Sequence, residues 1–236
     1  MLTTLIAALY VSNPTQRGYP GPMSATRRNS LAGPFGWVVL VASQGGMKAL
    51  STVVAGLPAS FPLPVVVAQH RRAAPNAPDV LAEVVARRSK LPVRVAIHGD
   101  ATERPGVAVV PAGMLATIGV GGGWSLTAPT SNVGVGDAFL MSSAKSAPTI
   151  AVVLTGRLTD GAAGCRAVKL AGGRVLVQDP FTAEAPSMPA TAIATGCVDF
   201  VLPLDRLATA ILALSTAPGA AELLTVPVPP WAALTH

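Results

Sequence analysis

Aromatic residues make up only 4% of this 236-residue chain and charged residues 12%, against 50% hydrophobic. With so few rings, the core must be built from Val, Leu, Ala and Ile. Those side chains suit parallel strands buried on both faces. Cysteine is nearly missing: Cys165 and Cys197 are the only two, and they lack the spacing of a metal site. They read as reduced, buried cysteines of a cytoplasmic protein. Histidine is almost as scarce, at His70, His98 and His236. A zinc site would need ligands that the chain hardly has. The apolar run MLTTLIAALYV is too short to span a membrane. It also lacks the basic start and the cleavage site of a signal peptide. No aromatic residues interleave with the Arg and Lys side chains, which argues against a nucleic-acid reader.

What charge there is has a formal sum of +6, much of it at Arg17, Arg27, Arg28, Arg71, Arg72, Arg87, Arg88 and Lys90. Two readings stand: a basic surface serving solubility, or one that meets an acidic protein surface, where complementary charge speeds encounter. The length suits one α/β domain with extensions. Residues 1–36, rich in Pro, Gly and Ser after the first apolar run, read as a disordered or linker-like extension in which Met23 is a second candidate start. Residues 37–216 read as the one folded domain, and 217–236 as a loose, Pro-rich tail.

Between these flanks the pattern alternates. WVVLVA is a strand and GGMKALSTVVAGL a helix; PVVVAQH is a strand and NAPDVLAEVVARRS a helix. PVRVAIH follows as a strand, then short strands around a hairpin whose turn is Gly121-Gly122-Gly123. VGDAFLMSSAKSA is a helix, TIAVVLTG a strand, DGAAGCRAVKLAGG a helix and RVLVQD a strand. A helix near Pro189, the extended CVDFVLPL and the helix DRLATAILALS complete the series. Strand–helix alternation of this kind predicts a doubly wound parallel sheet in a three-layer α/β/α sandwich, with a small β-hairpin. Ligands of such sheets bind beyond the C-terminal strand ends.

Three strands end in chemically useful residues. The first delivers Ser43, the second His70, and the strand before Arg157-Leu158-Thr159 delivers Asp160. A serine hydroxyl is a poor nucleophile at neutral pH and needs a base, and an imidazole suits that task. A carboxylate then fixes the tautomer and stabilises the imidazolium. The backbone N–H after the nucleophile, that of Gln44, is a candidate oxyanion donor. Each residue also has a plainer reading. Ser43 and Asp160 are ordinary helix caps, and His70 is an ordinary surface histidine at a strand end. Their shared place after strong strands favours the triad.

These segments, in this order, resemble the catalytic domain of the chemotaxis protein-glutamate methylesterases, the CheB family. VLVASQGGMKAL is similar to the family's nucleophile segment, and VVVAQH to its histidine segment. VGDAFLMSSA resembles a family helix at Asp137 and Phe139, and VVLTGRLTDGAAG the aspartate loop. VLVQDPFTAEAPSMPATAIATGCVDFVLPLDRLA is similar almost throughout. The resemblance implies hydrolysis of glutamate γ-methyl esters on chemoreceptor helices, deamidation of receptor glutamines, and no metal or organic cofactor. It implies Ser43 as nucleophile, His70 as base and Asp160 as carboxylate; the backbone N–H groups of Gln44 and Arg157 are the candidate oxyanion donors beside them. The implied partners are methylated receptor helices, with no nucleic acid and no membrane insertion; two readings of control stand, a constitutive chain or one governed by a separate regulatory protein.

The chain departs from the family around this site. Val41 stands where the family has glycine, and Gln44 where it has a small residue. Arg157-Leu158 replaces Met-Gly, and Gly134-Val135-Gly136 replaces Arg-Pro-Ser. A left-handed backbone at Leu158 would carry about 1–2 kcal/mol of strain. Residues 1–36 are too short for the receiver domain that switches many family members. Two alternatives to the receptor esterase stand: a degenerate domain that binds without turnover, and an esterase or amidase for small molecules.

Overall fold

The computed structural model describes residues 34–73, 79–129, 133–217 and 219–230. The expectation of an extension over 1–36 therefore falls outside the described residues as far as residue 33.

The first apolar run forms β1 (Trp37–Ala42), buried along its whole length. Then come α1 (Gly46–Ala55), β2 (Pro64–Gln69), α2 (Leu81–Ala86), β3 (Val93–Val95) and β4 (Gly106–Val109). The hairpin strands β5 (Leu115–Ile118) and β6 (Trp124–Thr127) precede α3 (Val135–Ser146) and β7 (Thr149–Val153). The chain continues through α4 (Ala162–Leu170), β8 (Arg174–Gln178), a short 3-10 turn at Pro180–Thr182 and α5 (Ser187–Ala194). It ends with β9 (Phe200–Leu202), α6 (Leu204–Thr216) and α7 (Ala220–Leu223).

Seven strands make one sheet in the order β3-β4-β2-β1-β7-β8-β9, parallel throughout, and β5-β6 form a separate antiparallel pair. Strand alternation sorts the core into two layers. Val38, Leu40, Ala42, Val65 and Val67 pack with α1, α2 and α6. Trp37, Val39, Val41, Val66 and Ala68 pack with α3, α4 and α5. This is the doubly wound α/β/α sandwich, hairpin included, that the sequence pattern predicts.

The chain leaves β1 to build β2, β4 and β3 on one side, then returns to build β7, β8 and β9 on the other. The order of winding reverses at β1, which places the end of that strand at the switch point where such sheets bind ligands. Phe139 sets α3 over this point. Its ring meets Trp37 edge-on at 6.0 Å and stacks on Trp124 at 5.1 Å. Such aromatic pairs favour fixed geometry, so α3 is pinned to β1 and to the hairpin at once.

In the extended segment 197–204 only Phe200–Leu202 pairs as a strand, because Asp199 turns inward. Its carboxylate pairs with the Lys169 ammonium, both groups buried, and accepts the Val175 N–H at 2.8 Å. The segment from Ala217 is not loose over its described part. It forms α7, Arg174 donates to the Leu224 carbonyl at 3.0 Å, and the Val226 N–H donates to Asp199 at 3.0 Å. Prolines mask such docking in a sequence, since they forbid regular structure without forbidding side-chain anchors.

No helix among the described residues is long and apolar enough to cross a membrane. No group of three or more His, Cys, Asp or Glu among them is placed to hold a metal ion. Both cysteines are free and buried, and burial pushes the Cys165 thiol up, away from reactivity.

Candidate active site

Ser43 follows β1 directly and extends its ladder by one residue, donating its N–H to the Thr155 carbonyl at 3.0 Å. His70 does the same on the other side, donating its backbone N–H to Ala42 at 3.0 Å. Ala42 pairs with Gln69, so Ser43 and His70 stand side by side at neighbouring strand ends. Alternation carries both side chains to the layer of α3, because Val39 and Val41 precede Ser43, and Val66 and Ala68 precede His70. The proximity of β7 is tight as well. A Cβ on Gly156 would lie 2.9 Å from the Ser43 Cβ and 2.0 Å from the Met188 sulfur, so only glycine fits there.

The plain reading of Ser43 as a cap fails. The N-cap of α1 is Gly45, at φ 74°, and no side chain caps that helix. Ser43 makes its contacts through its backbone. Its carbonyl accepts the Gly46 N–H and the Gln69 side-chain N–H, each at 3.0 Å. In a trans peptide the following N–H points the opposite way. The Gln44 N–H therefore points away from α1, and among the described residues it donates to nothing. The Arg157 N–H is likewise without an acceptor. The Thr155 hydroxyl holds the Gln44 carbonyl at 3.0 Å and accepts the Ala185 N–H at 2.8 Å, tying the serine turn to the loop before α5.

Asp160 ends the loop after β7. Its carboxylate accepts the N–H groups of Gly136 at 3.1 Å and Asp137 at 3.0 Å, which caps α3. Asp137 returns the favour to α4, accepting the Gly164 N–H at 2.7 Å. Burial pushes the Asp137 carboxyl above its ordinary range and the Asp160 charge adds to that, against the N–H groups of Gly164, Gly161 and Ala163 that favour its ionised form. The two helices thus cap each other through side chains from opposite partners. His70 is exposed, and its imidazole makes no hydrogen bond to Ser43 or Asp160 in this conformation. The structure gathers the three strand ends around β1; it shows the carboxylate on α3, not on the imidazole.

Two of the departures at 41 and 136 are a single exchange of volume. A Cβ on Gly136 would fall 2.2 Å from the Val41 Cγ1. Valine fills the space that a larger residue at 136 would take, so Val41 lies against the start of α3. Gly134 is required for a related reason: a Cβ there would sit 2.0 Å from the Asp160 Oδ1. Leu158 does adopt the left-handed backbone, at φ 68°, with 73% of its surface exposed. Because so little of the side chain is buried, Leu158→Gly is expected to relieve more strain than the unfolded chain gains in freedom. The net rise in stability is about 0.5–1 kcal/mol, and urea unfolding at 25 °C measures it.

Two cavities flank the serine turn. One of about 710 Å³ lies between α1 and α2, and one of about 640 Å³ lies between the Arg157 loop and α5. Sequence reading missed Glu184, which lines both. It missed Ser51 and Gln69 too, whose Oγ and Oε1 are buried without a hydrogen-bond partner. No spacing signal marks them, since each acts through a turn or helix remote in the chain.

Known proteins match this architecture. The family described as CheB methylesterase matches residues 38–211. A protein-glutamate methylesterase/protein-glutamine glutaminase 2 of Anaeromyxobacter dehalogenans is 37% identical over 182 residues, covering 75% of this chain and 53% of that protein. A protein-glutamate methylesterase/protein-glutamine glutaminase 1 of Carboxydothermus hydrogenoformans is 39% identical over 188 residues, covering 75% of this chain and 54% of that protein. The chain spans about half the length of the curated relatives it matches. The crystal structure of the Thermotoga maritima CheB methylesterase catalytic domain superposes with a TM-score of 0.68 at 30% identity, covering 76% of this chain and 98% of that one.

Proposed function

The chain belongs to the CheB methylesterase family, and from that membership we propose that it hydrolyses γ-methyl esters of protein glutamates and deamidates protein glutamines. Its substrates are methylated chemoreceptor helices in the cytoplasm. The observation that carries the reading is the register of Ser43 and His70 at adjoining ends of β1 and β2, with their side chains on one face of the sheet.

In this reading Ser43 Oγ attacks the ester carbonyl carbon while His70 takes the hydroxyl proton. The N–H groups of Gln44 and Arg157, which have no acceptor among the described residues, hold the oxyanion. Collapse breaks the carbon–methoxy bond, and His70 protonates the departing oxygen, so methanol leaves. Water then adds to the acyl-serine with His70 as base, which releases a glutamate carboxylate and restores Ser43. With a glutamine substrate the same steps release ammonia. Asp160 acts from the loop after β7 by stabilising the imidazolium, two strands from His70, a span of about 10 Å between backbones that the two side chains must close.

The test is methanol release from a methylated receptor cytoplasmic fragment by the purified chain. The expected result is turnover on the order of 1 s⁻¹ or faster, with acid product appearing on the glutamates. Folded protein that releases no methanol, and that a serine-directed phosphonate does not label, would favour the degenerate domain. Release from small esters alone would favour the small-molecule esterase.

A further inference from the structure

The two cavities beside Ser43 share a wall made by Gln44 and Glu184. Gly45 allows this. At φ 74° and without a side chain, it lets Glu184 lean on the turn, where a Cβ would lie 2.8 Å from the Glu184 Cβ and 2.9 Å from its Oε2. Outward from this central carboxylate the sign of charge changes. Lys48 and Arg88 line the first cavity and Arg157 the second. All three are exposed, and none is in an ion pair among the described residues. The first cavity also carries the buried Ser51 Oγ and Gln69 Oε1, both without partners. Buried polar atoms are seldom left so.

We infer that the two cavities form one trough that reads the charge register of a protein substrate. The inference rests on the esterase reading of Ser43. The side chain beside Glu184 must be uncharged, as a γ-methyl ester or γ-carboxamide is. Residues to one side lie over Lys48 and Arg88, and to the other over Arg157, so acidic flanks are favoured. The partner is therefore an acidic polypeptide segment with one neutralised glutamate at its centre. Hydrolysis itself drives release, because it turns that neutral group into a carboxylate facing Glu184 and opposes rebinding.

Three synthetic peptides, each with a single glutamate γ-methyl ester and flanked by Asp/Glu, by Ser, or by Lys, test the trough through methanol release by the full chain. Wild-type kcat/KM is expected to favour the acidic peptide over the basic one by about tenfold or more at low salt. Half-molar salt should erase most of that contrast. The double variant Lys48→Glu with Arg88→Glu is expected to reverse the preference, a result that only folded and active protein can give. Glu184→Gln is expected to strengthen inhibition by the free-glutamate peptide about threefold. Equal kcat/KM on all three peptides, or a preference unmoved by the double variant, would overturn the trough and leave the esterase reading standing. Unchanged product inhibition in Glu184→Gln would overturn the central element. A wild type that cleaves none of the peptides would sink the esterase reading and the trough with it.

Discussion

Ser43→Ala is expected to lower kcat on methylated protein by about 10⁴- to 10⁶-fold while leaving the unfolding free energy within about 0.5 kcal/mol of wild type. The two halves of this expectation come from different atoms. The turn is built by the backbone of Ser43: its N–H on Thr155 and its carbonyl under Gly46 and Gln69. Alanine keeps all of these bonds. The hydroxyl caps nothing, since the N-cap of α1 is Gly45 and no side chain serves it. Removing the Oγ therefore deletes the proposed attacking atom and little else. The residual rate, resting on the oxyanion donors at Gln44 and Arg157 alone, should show no burst of acyl-enzyme. A serine-directed phosphonate should add its mass to wild type, on the Ser43 peptide, and add none to the variant. The opposite pattern, a large loss of stability with turnover kept, would make Ser43 a structural residue after all.

How much of this was legible beforehand depends on the range of each interaction. WVVLVA and PVVVAQ announce buried parallel strands by composition, and the residues that follow them are fixed to one sheet edge by topology. Ser43, His70 and the Asp160 loop could therefore be placed near β1 from the sequence. The second duty of Asp160 could not. Its two N–H donors lie 23 and 24 residues away, on a helix whose own start carries no capping side chain. The glycines at 134 and 136 were visible only as departures from a family pattern; their reason is the volume of Asp160 and Val41. Glu184 left no trace either, because its neighbour Gly45 is far off in the chain and the contact depends on a missing side chain. The docking of the segment after Ala217 rests on Arg174 and Asp199, which periodicity cannot pair with a Pro-rich stretch.

Asp160→Asn separates the capping role that the structure shows for this carboxylate from the triad role proposed for it. Asparagine keeps the size and one acceptor oxygen, but its amide nitrogen must face an N–H, either that of Gly136 or that of Asp137. One cap bond is lost, and so is the negative charge at the N-terminus of α3. Loss of a cap costs about 0.5–2 kcal/mol and loss of the charge about 0.3–1 kcal/mol. A combined loss near 2 kcal/mol would lower Tm by about 4–8 °C in a chain of this size. That is less than the usual stability of a domain, so the variant remains folded at 25 °C. If capping were the only duty of Asp160, kcat at 25 °C would change little. The triad reading expects instead a fall of about 10³- to 10⁴-fold in folded protein, since the imidazolium loses its counter-charge and the imidazole its preferred tautomer. The labelling rate by the phosphonate should fall in step with kcat, because both depend on the same activated hydroxyl. A Tm drop with undiminished kcat and labelling would assign Asp160 to α3 alone and require a different partner for His70. Asp137 is not that partner. Its carboxylate already holds Gly164 at the head of α4, and burial pushes its carboxyl above the ordinary range.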